Sequence, residues 1–295
     1  MGRLCSLRWI VTVLCLLSIG SGTAAANRPL SVFVSILPQR YFVERIAGKE
    51  VQISVMVRPG ADPATYEPSP QQMAELAHAQ AYFSIGVPFE EAWLDRIEAN
   101  HPQLMVVDTR EGIALRQIEG HRHGSPSAGG KEEHLLDPHI WLSPRLVRQQ
   151  AESIYQALAA LNPTQAPVYF RNYQLFVDDL QILDGEIRGI VGSGEGGKFM
   201  VFHPAWGYFA DEYGLQQIPI ELEGKEPTAK ELTQIIDLAR REKIKVIFVQ
   251  SQFNVKPAKT VANAVGARIV QIDPLAEDYI DNMVSMARAI SEALK

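Results

Sequence analysis

The sequence predicts an α/β protein made of two lobes, each built around a mainly parallel sheet. Three observations lead to this prediction. Short apolar runs alternate with helical patterns in the first half of the chain, the same alternation returns in the second half, and one long helical pattern over residues 163–191 separates the halves. Alternating strands and helices favour parallel strands with right-handed crossovers. Two such lobes facing each other would place their strand ends across a cleft.

The first half contains four predicted strands and four predicted helices. The strands are short apolar runs, and two of the helices begin with Ser-Pro, in which the serine caps the helix and the proline takes its first position. The strands are predicted at 31–36, 51–57, 81–86 and 104–108. The helices are predicted at 41–47, 70–79, 89–98 and 144–161.

The second half repeats this pattern after a glycine-rich segment, 192–197. We interpret that segment as a hinge or turn, because it follows a helix and lacks the Lys-Ser/Thr ending of a phosphate-binding loop. Strands are predicted at 199–202, 217–220, 245–250 and 268–272, and helices at 206–213, 228–242, 257–265 and 278–294. The lobes are therefore predicted to span 27–162 and 193–295, with a connecting helix over 163–192.

Composition favours a packed globular protein and argues against nucleic acid as a partner. Of the 295 residues, 46% are hydrophobic and 21% are charged, and the formal net charge is -6. An acidic chain of this kind repels nucleic acid and is compatible with a cation as its ligand.

The first 26 residues are predicted to be a cleavable secretory signal. Two arginines precede an apolar segment, 9–19, that is too short to span a membrane, and three alanines at 24–26 provide an A-x-A cleavage site. An uncleaved anchor is the alternative. Both cysteines, Cys5 and Cys15, lie within these 26 residues. Leu14 precedes Cys15, where a lipoprotein signal needs a small residue. The mature chain is therefore predicted to be a periplasmic protein without cysteine or lipid, whose metal ligands must be nitrogen and oxygen atoms.

Two predicted strands end in a polar residue followed by proline. His203 follows the apolar run 199–202, and Asp273 follows the run 268–272. In open α/β sheets, ligands bind at the carboxyl ends of the strands. An imidazole and a carboxylate at one sheet edge suggest a cation such as zinc, although either residue could instead cap the next helix.

More histidines lie between the first-half strands and the helix at 144–161. His139 lies in a turn just before that helix and is a third candidate ligand, with a hydrogen bond to a backbone carbonyl as the alternative. His121, His123 and His134 lie in a segment, 119–134, rich in Gly, Ser and charge, which predicts a flexible loop. These histidines could hold a cation loosely or could be solvated residues of a linker.

Four motifs, taken together and in order, resemble one family. They are P-G-x-D-P-x-x-Y-E-P-S-P at 59–70, D-P-H-I-W-L-S-P at 137–144, F-H-P-A-W-G-Y-F-A-x-x-Y-G-L at 202–215 and I-D-P-L at 272–275. The chain resembles the zinc/manganese-type substrate-binding proteins of bacterial ABC importers over essentially its whole mature length. This resemblance implies two Rossmann-like lobes joined by one long rigid helix, with a single divalent metal in the cleft.

The same resemblance implies a ligand set and partners. It places metal ligands on His139, His203 and Asp273, and a histidine at 203 resembles the zinc-preferring branch of the family. The expected cargo is Zn²⁺, with Mn²⁺ or another divalent ion as alternatives. The expected partner is an inner-membrane ABC permease with its ATPase, and the protein is expected to be a monomer and not an enzyme.

The chain departs from the family pattern at Ala64, where the family usually has its first histidine ligand. Water, Glu67 or a loop histidine such as His134 could take the open position, and Glu67 is preferred because it lies in the same loop. Two histidines and one carboxylate also form the facial triad of non-haem iron enzymes, so a secreted metalloenzyme is the alternative function. An adhesin-like surface protein on the same scaffold is a third possibility.

Overall fold

The computed structural model describes residues 29–119, 136–192, 196–222 and 224–295. The signal segment, the loop histidines His121, His123 and His134, and part of the glycine-rich segment lie outside these ranges. What the sequence suggests about them stays a prediction, as do the lobe boundaries at 162/163 and 192/193.

The first lobe is built around four parallel strands. Its elements in chain order are β1 (Leu30–Val34), α1 (Leu37–Ala47), β2 (Val51–Val55), α2 (Pro70–Leu76), β3 (Ala81–Ser84), α3 (Pro88–Asn100), β4 (Met105–Asp108) and α4 (Pro144–Leu161). The strand order is β2-β1-β3-β4, and every neighbouring pair is parallel. A short 3-10 helix, Ile140–Leu142, precedes α4.

The second lobe repeats this arrangement. The chain continues through α5 (Ala166–Val191), β5 (Gly197–Val201), α6 (Gly207–Tyr213), β6 (Leu215–Pro219), α7 (Ala229–Arg241), β7 (Val246–Val249), α8 (Lys256–Val265), β8 (Arg268–Gln271) and α9 (Tyr279–Ala293). The strand order is β6-β5-β7-β8, again all parallel. The predicted two-lobe α/β fold is confirmed.

Helix α5 contacts α1 and α4 of the first lobe and α9 of the second lobe. It buries one face, which includes Phe176, Leu180 and Leu183. The Phe42 ring of α1 lies 5.8 Å from the Phe176 ring and 5.0 Å from the Tyr279 ring of the second lobe. One continuous hydrophobic core therefore joins the lobes through the helix. None of the helices in the described ranges is long and apolar enough to cross a membrane.

Helix starts follow local signals that the sequence carries. Ser69 and Ser143 accept hydrogen bonds from backbone N–H groups in the first turns of α2 and α4, as predicted. The predicted start of α1 at residue 41 was wrong. Pro38 sits in the first turn, where its missing N–H costs nothing, and the Gln39 side chain accepts the Ser35 N–H at 3.0 Å, so the helix begins at Leu37.

Candidate metal centre

His203 lies just beyond β5, beside the end of the neighbouring strand β7. Pro204 follows it, so the backbone leaves the strand and turns toward α6. The Gln250 side chain, which follows β7, accepts the His203 N–H at 3.4 Å and donates to the His203 carbonyl at 2.9 Å. The Phe253 ring stacks on the imidazole with the ring centres 4.7 Å apart. These contacts hold His203 at the point between β5 and β7 where the strand order reverses.

His139 reaches the same place from the first lobe. It is the residue before the 3-10 helix Ile140–Leu142, and it is 8% exposed. The indole N–H of Trp141 donates to the Pro274 carbonyl of the second lobe at 2.7 Å. This bond and the 3-10 turn bring the His139 segment against the second sheet's edge.

The two imidazoles face each other across the lobes. His139 Nε2 lies 3.3 Å from His203 Nε2. On the far side of each ring, His139 Nδ1 lies 2.7 Å from Asp137 Oδ1 and His203 Nδ1 lies 3.0 Å from Glu221 Oε2. Since an ionised carboxylate can only accept, each neutral imidazole must carry its proton on Nδ1. Both Nε2 lone pairs then point into the gap, which is the arrangement that imidazoles adopt toward a shared cation.

Burial favours the metal-binding form of His139. It lowers the pKa of His139 from its ordinary value, and this effect outweighs the nearby Asp137 carboxylate, which acts to raise the pKa. The imidazole is therefore neutral near pH 7, as a ligand must be.

Asp273, the third predicted ligand, is placed differently. Its Oδ1 accepts from Gln252 Nε2 at 3.1 Å and from the Leu275 N–H at 2.9 Å. With Arg58 and Gly60 of the first lobe, the Asp273 side chain lines a cavity of about 240 Å³ between the lobes. Across the described ranges, no group of three or more His, Cys, Asp or Glu side chains is close enough to hold one metal ion. The structure thus brings the two histidines together and leaves Asp273 outside that pair.

The loop between β2 and α2 contains the other two positions that the sequence singled out. Glu67 and Ala64 are both exposed there. The Ala64 N–H donates to Asp62 Oδ1 at 2.8 Å, and the Tyr66 hydroxyl donates to Gln72 Oε1 at 2.8 Å. Glu67 as the fourth ligand therefore stays a prediction.

Sequence reasoning missed the two carboxylates that orient the imidazoles. Asp137 and Glu221 are both buried, at 0% and 4% exposed. A signal existed for each: Asp137 is two residues before His139, and Glu221 is the first acidic residue after the predicted strand 217–220. A polar residue directly after a buried strand is the same signal that identified His203 and Asp273.

Two parallel α/β lobes that each offer an imidazole to one gap define a metal-binding protein of the two-lobe type. Comparison with known proteins identifies the family. The family model described as "ZnuA: Zinc-uptake complex component A periplasmic" matches residues 32–293. The chain belongs to this family, so the predicted resemblance is confirmed.

Individual relatives agree with the family match. The chain is 27% identical to the "High-affinity zinc uptake system protein ZnuA" of Bacillus subtilis, over 87% of this chain and 81% of the relative. It is 40% identical to a solved ZnuA, with a TM-score of 0.83 over 90% of this chain and 99% of that one. A ZnuA deletion mutant with zinc bound matches at 40% identity and a TM-score of 0.82, over 90% of this chain and 97% of that one.

Proposed function

We propose that this protein binds a zinc ion in the periplasm and delivers it to an ABC importer. The observation that carries the proposal is the His139–His203 pair, with the two Nε2 atoms 3.3 Å apart and both Nδ1 atoms held by buried carboxylates. Two unprotonated nitrogens this close repel each other unless a cation or a proton lies between them. The names of the relatives, which are zinc-uptake proteins, support zinc as the cargo.

We propose that Asp273 supplies the third ligand. Both hydrogen bonds that the described residues make to this carboxylate reach Oδ1, which leaves Oδ2 for a ligand. Loop 250–253 supports this assignment, because its Gln252 contacts Asp273 while its Phe253 stacks on His203. Glu67 or water would complete the tetrahedral set that zinc prefers.

The donor set favours zinc over manganese. Imidazole nitrogen suits zinc, whereas Mn²⁺ prefers carboxylate, carbonyl and water oxygens. We further propose that the mature protein acts as a monomer, is secreted through the cleavable signal without a lipid, and passes the ion to an inner-membrane permease with its ATPase. It is proposed to be a carrier and not an enzyme, because its family is named for uptake.

Metal analysis of the purified, tag-free mature protein tests the proposal. Mass spectrometry should find one zinc per chain, and titration of the chelator-stripped protein should show one tight zinc site and much weaker uptake of Mn²⁺. Bound iron with turnover of an ester or oxoacid substrate would instead support the metalloenzyme. Failure of the stripped protein to bind zinc would overturn the proposal.

A further inference from the structure

Asp137 connects His139 to a charge on another segment. Its carboxylate is fully buried. One oxygen, Oδ1, accepts both from His139 Nδ1 at 2.7 Å and from the His139 backbone N–H at 3.0 Å. The other oxygen, Oδ2, accepts from Arg116 Nη1 at 3.2 Å. Oδ1 therefore binds His139 and Oδ2 binds Arg116, which supplies the positive charge that a buried carboxylate requires.

The rest of the Arg116 guanidinium reaches both its own segment and the second lobe. Nη2 donates to Glu119 Oε1 at 2.7 Å, and Nε lies 2.9 Å from Asp211 Oδ2 on α6. Tyr208, also on α6, accepts the Arg116 backbone N–H at 3.1 Å and donates its hydroxyl hydrogen to the Asp137 carbonyl at 2.9 Å. The Arg116 guanidinium therefore connects Asp137 with Asp211 of α6, and the Tyr208 hydroxyl adds hydrogen bonds to two backbone groups of the first lobe.

Gly207, the first residue of α6, leaves space for the Arg116 guanidinium. A Cβ atom at Gly207 would lie 1.4 Å from Arg116 Nη1 and 2.7 Å from Asp137 Oδ2, both closer than atoms can approach. Gly207 does not have a positive φ, so close approach and not backbone conformation explains the glycine.

Helix α6 begins four residues after His203. The segment that carries His203 therefore also contacts Arg116, which reaches His139 through Asp137. We infer that Arg116 is a positioning residue: through Asp137 it holds the His139 imidazole with Nδ1 protonated and Nε2 facing His203, and through α6 it sets the separation of the two rings. The effect on zinc rests on the proposed function, whereas the orientation of His139 does not.

The test compares wild type, Arg116→Met and Asp211→Asn with two readouts. Histidine nitrogen NMR of the metal-free protein reports which ring nitrogen of His139 carries the proton. Competition with a chromophoric chelator reports zinc affinity. Arg116→Met keeps much of the arginine's length without charge or donors. Asp211→Asn is the matched control, because asparagine keeps an oxygen that can accept from Arg116 Nε, and the Asp211 side chain is 62% exposed.

Wild type and Asp211→Asn should show a single His139 tautomer with the proton on Nδ1, whereas Arg116→Met should show a mixture or exchange broadening. Zinc affinity should fall about 10- to 100-fold in Arg116→Met, the range known for partners of metal-binding histidines, and less than about 3-fold in Asp211→Asn. A wild-type tautomer pattern and wild-type affinity in Arg116→Met would overturn the inference. So would a wild-type protein with the proton on Nε2 of His139.

Thermal unfolding shows whether each variant folds. If Arg116→Met does not, Arg116→Gln replaces it, because glutamine keeps one N–H donor for Asp137 and loses the bonds to Glu119 and Asp211. Because the positive charge beside Asp137 is lost while one donor remains, a smaller tautomer change and a smaller loss of affinity than in Arg116→Met are expected, and an unchanged His139 signal overturns the inference. If wild type binds no zinc, the proposed function fails, and the tautomer readout of the metal-free protein still decides the role of Arg116.

Discussion

The two lobes share one strand order but use the same edge of the sheet in different ways. In the second lobe, His203 and Gln250 follow the central strands β5 and β7, and the imidazole faces the cleft. In the first lobe, Ser35 and Ile85 follow the corresponding strands β1 and β3. There the carboxylate of Glu90, on α3, accepts hydrogen bonds from the Ser35 hydroxyl and from the N–H groups of Ile85 and Gly86.

This difference shows that the shared strand order gives each lobe an equivalent sheet edge. The side chains at each edge decide which of the two faces the proposed metal site. Glu90 is 3% exposed and accepts from the Ser35 hydroxyl and from two backbone N–H groups at this edge, so these donors are already paired. The first lobe therefore contributes its imidazole from elsewhere, through His139, which follows β4 and a long connection. The candidate metal centre is therefore asymmetric, although the two sheets share one strand order.

The largest expected loss of zinc affinity follows removal of either histidine of the His139–His203 pair, which connects the two lobes. His203→Ala and His139→Ala should each weaken zinc binding by at least about 100-fold, because loss of a ligand should exceed the 10- to 100-fold typical of its hydrogen-bond partners. Calorimetry on the metal-free proteins measures this, and His78→Ala, at an exposed histidine outside the site, is the control. Wild-type affinity in both variants would show that the cleft pair is not the zinc site.

The pH dependence of the free energy of unfolding tests the structural role of Glu90 at the edge of the first sheet. Burial raises the pKa of Glu90 to about 7, despite the hydrogen bonds that favour its ionised form. A raised carboxyl pKa stabilises the fold below the unfolded value near 4.5, and this contribution is lost as the pH rises through about 7. The shift of roughly 2.5 units corresponds to at most about 3 kcal/mol.

The free energy of unfolding of wild type, relative to Glu90→Gln, should therefore decrease between pH 4.5 and 7 and then level off. Denaturant unfolding at a series of pH values measures the difference, in which other titrating groups cancel. Zinc affinity of Glu90→Gln should stay within about 3-fold of wild type. Parallel pH curves, or a large loss of zinc binding, would contradict the division of roles between the two edges.

A smaller effect is expected for Asp273. Asp273→Asn keeps the size of the side chain and an oxygen that can accept from Gln252, but removes the charge. Zinc affinity should fall about 10-fold, since a neutral amide oxygen is a weaker zinc ligand than a carboxylate. Gln252→Ala is the informative companion, because it removes the Asp273 partner and leaves the charge. No change in Asp273→Asn would remove Asp273 from the ligand set.

The smallest effect is expected for Glu67. Its side chain is exposed in the structure, and water can take the fourth position of zinc, so Glu67→Gln should change zinc affinity by less than about 3-fold. The same calorimetric titration measures it. A loss of 10-fold or more would establish Glu67 as the fourth ligand in place of the histidine that Ala64 lacks.

Most of the fold could be predicted because its signals are local. Helix starts at Ser69 and Ser143 and the end of β5 before His203-Pro204 depend on neighbours within a few residues. Apart from the start of α1, predicted element ends agree with the structure within three residues. The start of α1 was missed because it depends on the Gln39 side chain folding back to Ser35, which periodicity does not reveal.

The sequence by itself determined the two α/β lobes, the family and the positions of His139 and His203, since proline, capping hydroxyls and hydrophobic period act over short distances. Only the tertiary structure decided that the two imidazoles face each other, that Asp137 and Glu221 orient them, and that Gly207 makes room for Arg116. Apart from the Asp137–His139 contact, which spans two positions, these relations join residues 18 to 91 positions apart. Packing between two lobes creates them, and no local pattern encodes which side chains will meet there.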